Sequence, residues 1–362
     1  MRLDVLPEQG QALLDLQEKF SSACNKVAEI GVREKKHNRI QLHHLTYYAL
    51  RKDFPALGAQ MCCNAIAKTA QALKALKRPM QVLFRKQGSV HFDKKTYSLK
   101  NGVLSLFTLN GRIRLQLTIS PFHQKILEQG KPKEAELVRK GKRWFFNLVL
   151  DLPDPTPKPP GGVMGVDLGE NVLAATSTGK LFGGGILRAD RDQFLGHRQR
   201  LQSNGSQSAK QQLRYISGRE KRNVRYVNHC VAKAIVQEAQ RNDCSTIVME
   251  NLKNIRDRIK AGTKVRSRLH RWSFDQLRGF VEYKSEAYGI QMLYVSPAYT
   301  SKTCSCCHAL GNRQKHRFSC SNCGSLQHSD LNASRNILGL GMSADMSTGD
   351  VNRRYVAATV GR

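Results

Sequence analysis

Two Cys-x2-Cys hooks, Cys304–Cys307 and Cys320–Cys323, stand twelve residues apart near the end of the chain. Each hook offers two thiolates from one tight turn, and two hooks complete a tetrahedron of sulfur, the donor set of a closed structural zinc site. Gly324 follows the second hook, where such a turn calls for a positive φ. Cys306 is a fifth thiol that could replace Cys307, although the two-residue spacing favours Cys307. His308 and His316 are weaker ligands for a shell that four thiolates already fill. The plainer alternative is a loop of free cysteines.

Three acids at the ends of apolar stretches offer a second chemistry. Asp167 closes the stretch in GVMGVDLGENVLA, between Gly165 and Gly169; Glu250 closes STIVMENLKNI; Asp330 opens the helical pattern of HSDLNASRNIL. They lie 83 and 80 residues apart, so only a fold brings them together. Adjacent strand ends in an α/β sheet are where such folds build sites. Clustered carboxylates repel unless cations neutralise them, and hard oxygen donors select Mg2+ or Mn2+. Two such ions about 3.5–4 Å apart can activate water and stabilise the leaving oxygen of a phosphodiester. Taken singly, each acid has a plainer reading: Asp167 as a turn residue, Glu250 as an exposed strand end, Asp330 as the N-cap of the last helix.

The charge of the chain joins the two chemistries. Lys and Arg number 59 against 28 Asp and Glu, a net charge of +31, and the pI is about 10.1. So large an excess repels itself unless a polyanion neutralises it, and nucleic acid is the common partner. A basic protein of the ribosomal type is the plainer alternative. Mean hydropathy is −0.47, and no apolar run approaches the ~20 residues of a membrane span. The opening MRLDVLPEQGQALLDL has no apolar stretch with a small-residue cleavage site, so a cytoplasmic protein is expected. In that compartment clustered cysteines mean metal rather than disulfides.

The elements that must position these residues are legible from their periods. Leu13, Leu16, Phe20, Cys24 and Val27 recur at intervals of three and four, which predicts a helix from Gln11. A second helix is expected around Leu42, Leu45 and Ala49, and a third after Pro55, with Ile66, Ala70, Leu73 and Leu76 on one face. Residues 1–6 read as a short strand. The period changes at Pro79, and residues 80–150 read as strands of an antiparallel barrel or sandwich. Ile113, Leu115, Leu117 and Ile119 alternate with polar residues there, after the hairpin signal Asn110-Gly111. DLPDPTPKPPGG, residues 151–162, carries five of the eleven prolines and marks a domain boundary. Beyond it the pattern is α/β. Strands are expected at Val163–Leu168, Val172–Ser177, near Leu181, at Ser245–Met249 and at Ile290–Val295. Helices are expected over the basic region 190–240, at Phe274–Tyr288 and at Leu331–Leu340. The last twenty or so residues show no period and are expected to be mobile.

At the acids and the hooks the chain resembles a known family. GVDLGENVLAATSTGK resembles the first RuvC motif of the transposon-encoded TnpB (OrfB zinc-ribbon) RNA-guided endonucleases, relatives of the miniature type V CRISPR effectors, and IVMENLKNI resembles the second. TSKTCSCC, RFSCSNCG and HSDLNASRNI resemble their zinc ribbon running into the third motif, so the resemblance covers roughly residues 160–340. It implies a multidomain α+β protein. An N-terminal β-barrel or wedge domain (1–6 and 79–155) would carry an inserted helical recognition domain (7–78). A RuvC-like, RNase H-like α/β nuclease domain (160–299 and 328–341) would carry the zinc ribbon (300–327), with a flexible tail at 342–362.

The resemblance also implies roles. Asp167, Glu250 and Asp330 would be the catalytic acids and would bind Mg2+ or Mn2+; Cys304, Cys307, Cys320 and Cys323 would bind Zn2+. A guide RNA from the mobile element would pair with one strand of double-stranded DNA, next to a short duplex motif that the protein reads. The protein would be monomeric with its RNA, prokaryotic, and nucleoid-associated when bound to DNA. His328 stands two residues before Asp330, where many relatives carry another acid. Lys315 and Arg317 are candidates for phosphate contacts, with solvated charge as the alternative. Three rival functions share much of this pattern: a nuclease-inactive guided repressor, a miniature type V CRISPR effector, and a zinc-ribbon DNA-binding protein or strand-joining transposase that works without RNA.

Overall fold

Apolar residues three and four apart wind α1 (Pro7–Arg33), whose Leu13, Leu16, Phe20, Cys24 and Val27 are all buried. The structure, a computed structural model, describes residues 1–76, 82–117, 119–252 and 273–347. Its chain divides into two units, Met1–Asp154 and Pro155–Arg362.

In the first unit α1 packs with α2 (Arg39–Asp53) and α3 (Gly58–Lys74). The Asn38 side chain caps α2 by accepting from the Ile40 N–H. The strands form two antiparallel sheets. One contains β1 (Arg2–Leu3), β2 (Val90–Asp93), β6 (Lys131–Lys140) and β7 (Arg143–Asp151), in the order β1-β7-β6-β2. The other is the meander β3 (Tyr97–Lys100), β4 (Val103–Thr108) and β5 (Gly111–Gln116). Helices and strands share one core, in which Phe20 and Ile66 meet Phe92, Leu104 and Phe146. Lys68 of α3 ties the two layers by donating to Glu136 of β6 at 2.8 Å.

Two local features differ from expectation. Within the stretch read as strands, α4 (Pro121–Gln129) forms because Ser120 caps the His123 N–H and Pro121 takes the first helical position. The hairpin loop is Leu109-Asn110, and Gly111, at φ 105, is already the first residue of β5. The expected transition at Pro79 lies outside the described residues.

In the second unit, five strands stand in the order β10-β9-β8-β11-β12: β8 (Gly162–Asp167), β9 (Val172–Thr176), β10 (Leu181–Gly183), β11 (Cys244–Glu250) and β12 (Gln291–Val295). The trio β8, β11 and β12 is parallel; β9 runs antiparallel to β8, and β10 antiparallel to β9. Strands buried on both faces read as continuous apolar runs, as β11 does. On one face Ile235 and Val236 of α6 (Gln207–Arg241) and Leu277 and Val281 of α7 (Phe274–Glu286) pack on Ile247. On the other, Val248, Leu293 and Val295 receive Ile337 of α8 (Ser329–Ser347).

α8 lies very close to the sheet. A Cβ at Gly165 would stand 2.1 Å from the Ser334 carbonyl oxygen, and one at Gly341 2.4 Å from a Val248 methyl. The expected basic helical region is two helices: α5 (Gly185–Asn204) ends at Gly205, in the left-handed region at φ 68, and Ser206 caps α6. α8 continues to Ser347, past its expected end at Leu340. Residues 348–362, most of the expected tail, lie outside the described residues. Among the described residues no helix is long and apolar enough to cross a membrane.

Between β12 and α8 the chain folds into a small ribbon of β13 (Asn312–Gln314), β14 (Arg317–Ser319) and β15 (Leu326–His328). Its own core is little more than Cys304, Phe318 and Cys320.

Candidate active site and metal centre

Parallel pairing of β8 with β11 sets Val166 opposite Met249, so Asp167 and Glu250 end neighbouring strands at the same end of the sheet. Asp330 sits in the first turn of α8, the helix laid across β8. Asp167 feels the other two carboxylates. Burial, then the charges of Glu250 and Asp330, push Asp167 up to about 8, while Arg313 pulls it down. Burial also raises Glu250, against a hydrogen bond from Thr300 and the charge of Arg313.

Each acid is held by side chains around it. Asp330 is 6% exposed. Its Oδ1 accepts from Arg313 Nη2 at 2.8 Å and Ser329 Oγ at 3.3 Å. Its Oδ2 lies 3.8 Å from His316 Nδ1 and 4.0 Å from His328 Nδ1. Glu250 is half-buried and accepts from the Thr300 hydroxyl. Arg313 alone leaves Asp167 with a raised proton affinity, and an all-oxygen donor set fits a hard divalent ion. As a set the three acids are spaced more widely than the ligands of one ion. The described groups with all ligand atoms within 4.8 Å are the four cysteines and His316–His328–Asp330.

The sulfurs of the two hooks interleave. Cys304 Sγ is 3.6 Å from Cys323 Sγ, and Cys307 Sγ 3.5 Å from Cys320 Sγ. A tetrahedron with Zn–S bonds of about 2.3 Å has edges of about 3.8 Å, so the residues fit zinc. Gly324 takes φ 71, as the knuckle turn requires. The Asn322 side chain and the Ala309 N–H hold Cys307 down at about 6. Cys323 is pushed up to about 12: the Ser325 N–H lowers it, but the Cys307 thiol, desolvation and the Cys304 and Cys320 thiols raise it. Cys306 stays outside the tetrad, exposed, with its Sγ 3.7 Å from Ser325 Oγ. His308 is a turn residue at φ 61.

Several residues that sequence reasoning missed join the ribbon to the acids. Buried Asn332 accepts from the Ser305 N–H at 2.8 Å and donates to the Thr303 carbonyl at 2.7 Å. Asn336 donates to the carbonyls of Thr300 and Thr303 at 2.8 and 2.6 Å. Thr300 thereby links α8 to Glu250. The signal was present: Asn332 and Asn336, four apart, share one helix face. An open cleft of about 850 Å³ runs beside Asp330, lined by Asn171, Arg188, Arg313, Lys315 and His316 among others. Lys315 thus faces the cleft, whereas Arg317 is not among its lining residues.

An α/β sheet with acids at one end of its central strands, and a four-thiolate ribbon docked on the helix that carries a third, define a mixed α/β protein with a zinc-ribbon-like domain. The family described as Cas12f1-like, TNB domain, matches residues 274–337. The OrfB_IS605 family, described as "Probable transposase", matches residues 147–256. A TnpB-like protein of Methanocaldococcus jannaschii is 29% identical over 245 residues, 62% of this chain and 85% of that protein. The CRISPR-associated endodeoxyribonuclease Cas12f1 of Sulfoacidibacillus thermotolerans is 39% identical over 113 residues, 30% of this chain and 25% of that one. Among solved structures, a Cas12f1-sgRNA-target DNA complex aligns with a TM-score of 0.64 at 17% identity, covering 92% of this chain and 83% of that one. The chain is thus similar to TnpB proteins and, over its ribbon region, to the miniature type V effectors.

Proposed function

We propose that this protein is an RNA-guided DNA endonuclease of a mobile element, and that Asp167, Glu250 and Asp330 are its catalytic acids. The observation that carries the reading is the placement of the acids: Asp167 and Glu250 end neighbouring parallel strands, the charges of Glu250 and Asp330 both reach buried Asp167, and Asp330 lines an open cleft with Arg188, Arg313 and Lys315. Supporting it, the relative from Sulfoacidibacillus thermotolerans is named an endodeoxyribonuclease, and the aligned complex contains sgRNA and target DNA. The strand order, three antiparallel strands followed by two parallel ones, supports a RuvC-type, RNase H-like domain. By the same reading the first unit is the wedge and recognition part, which reads a short duplex motif beside the target.

Divalent ions held by Asp167, Glu250 and Asp330 would supply an activated water and neutralise the leaving oxygen of the phosphodiester. The chain's own residues do the rest. Thr300 orients Glu250 through its hydroxyl while Asn336 fixes the Thr300 backbone. Arg313, on β13, donates to Asp330 Oδ1 and lines the cleft, where its guanidinium would also meet a bound phosphate. Lys315 and Arg188 add positive charge along the cleft. Target choice falls to base pairing with the guide, and the protein holds the heteroduplex by its shape and phosphates.

The test is cleavage of a guide-complementary plasmid by the protein with its copurified, sequenced RNA. Asp167→Ala abolishes cutting and leaves RNA-dependent DNA binding intact; undiminished cutting by that variant refutes the assignment. A second reading, a miniature type V effector, draws on the Cas12f1-like ribbon match. A copurifying RNA transcribed from a repeat array, rather than from a transposon end, decides for it.

A further inference from the structure

We propose that His316, His328 and Asp330 form a third metal site, distinct from the four thiolates, that takes a borderline transition ion such as Zn2+ and shares Asp330 with the acid centre. Two imidazoles and one carboxylate with open positions beyond them are the donor set of such ions, whereas Mg2+ and Ca2+ prefer oxygen alone. Both rings present Nδ1 to the same oxygen, Oδ2 of Asp330, at 3.8 and 4.0 Å. The rings stack with centroids 5.4 Å apart and planes at 28°. Donors around an ion with bonds of about 2.1 Å stand about 3.0–3.4 Å apart, so each imidazole needs to approach Oδ2 by about 1 Å or less, and the whole donor set already lies within 4.8 Å. His316, 49% exposed, has room to make that move.

The backbone beneath the three ligands is already fixed. β14 and β15 pair Arg317 with His328, the Ser329 N–H donates to the His316 carbonyl at 2.8 Å, and Ser329 Oγ donates to the Lys315 carbonyl at 3.0 Å. Ordering the ligands therefore costs little on binding. Two contacts oppose the site. Arg313 holds Asp330, but through Oδ1, which leaves Oδ2 to the imidazoles. The Asp330 N–H donates to His328 Nδ1 at 3.3 Å, a long bond that the ion must replace. An ion here ties up one oxygen of Asp330. On the nuclease reading it therefore competes with magnesium and throttles cleavage.

The binding claim is tested without any cleavage assay. Full-length protein with zinc in its ribbon, carrying Asp167→Asn and Glu250→Gln to blunt the acid centre, is titrated with Co2+ and followed by visible absorption. One further cobalt per chain is expected, with weak d–d bands and no thiolate charge transfer. Adding His316→Ala or His328→Gln weakens it by more than about tenfold, since a direct ligand matters more than the outer-shell partners whose loss costs that much. Circular dichroism verifies that these variants are folded. Absence of the extra cobalt, or the same uptake with both histidines replaced, overturns the site. In the wild-type background, added zinc depresses magnesium-supported cleavage, and the double histidine variant resists it. Equal inhibition of both proteins overturns the regulatory consequence. Absence of all cleavage counts against the nuclease reading alone, because the cobalt result stands apart from it.

Discussion

Burial and two neighbouring carboxylates hold Asp167 at about 8, so near neutral pH the metal-free folded protein keeps a proton that the unfolded chain gives up. Below about 4, the ordinary carboxylate range, Asp167 is protonated in both states and costs nothing. As pH rises from there to about 8 the unfolded state ionises first, so this group's contribution to stability falls across that window and is fully adverse above it. Asp167→Asn should therefore raise the melting temperature of the magnesium-free protein at pH 7–8 and flatten its pH dependence, while abolishing cleavage. Equal melting curves for the two proteins would contradict the burial argument. The same proton must leave when a divalent ion binds, so magnesium affinity should rise with pH up to about 8. Calorimetry in buffers of different ionisation enthalpy would register the proton release. At this scale the cysteines and acids were legible because uncommon residue types stood at element ends. Arg313 was not: one arginine among 59 basic residues carries no spacing signal. Thr300 was hidden for another reason, since its role depends on how the chain turns back after β12.

Elements act here by close approach. Gly165 of β8 leaves no room for a methyl group, because the Ser334 carbonyl of α8 would lie 2.1 Å from it. Gly165→Ala must push α8 outward, at a cost of about 1–3 kcal/mol or more in urea unfolding. Asp330 moves with the helix, so cleavage should fall further than the lost stability explains. An alanine variant with full activity would mean that α8 does not set the acid's position. The ribbon makes the complementary case. Its core is too small to hold its shape unaided, and structural zinc adds roughly 10–16 kcal/mol of apparent binding energy in comparable small domains. Cys320→Ser should expose residues 303–328 to hydrogen exchange while β11 stays protected. It should also reduce cleavage, because Thr300 and Thr303 lose the ordered ribbon beside them. Much of the element order was readable from period alone, including the parallel-sheet strands and the helix carrying Asp330. What escaped were punctuation marks. Ser120-Pro121 starts a helix inside strand-rich sequence, and Gly205-Ser206 ends one basic helix and caps the next. The surrounding charge masked that second break, because Lys and Arg suit a helix on either side of it.

Over the whole molecule the formal charge of +31 was plain from composition, but composition could not say which surface carries the contacts. The structure narrows the choice within the second unit. Along α6, Lys210, Arg214, Lys221, Arg222 and Arg225 are exposed, with Tyr215 and Tyr226 exposed among them. Cations spaced along a 35-residue helix suit a phosphate backbone, and exposed tyrosines suit stacking on unpaired bases. Binding through phosphates releases counterions, so log affinity should fall linearly with log salt, with a slope of about −0.9 per duplex phosphate neutralised. A protein making about 6–10 such contacts loses about a thousand- to a hundred-thousand-fold in affinity between 50 and 200 mM salt. Replacing Arg214, Lys221 and Arg225 together by alanine should shallow that slope by up to about 2.7 on duplex and about 2.1 on single strands. Comparing the two slopes identifies which nucleic acid the helix holds. The variant should keep its fold, since these side chains are exposed, and it should weaken binding to all sequences alike, because phosphate contacts carry no base information. A sequence-dependent loss would mean that α6 reads bases. An unchanged slope would move the contact surface off this helix altogether and leave the exposed cations as ordinary solvated charge.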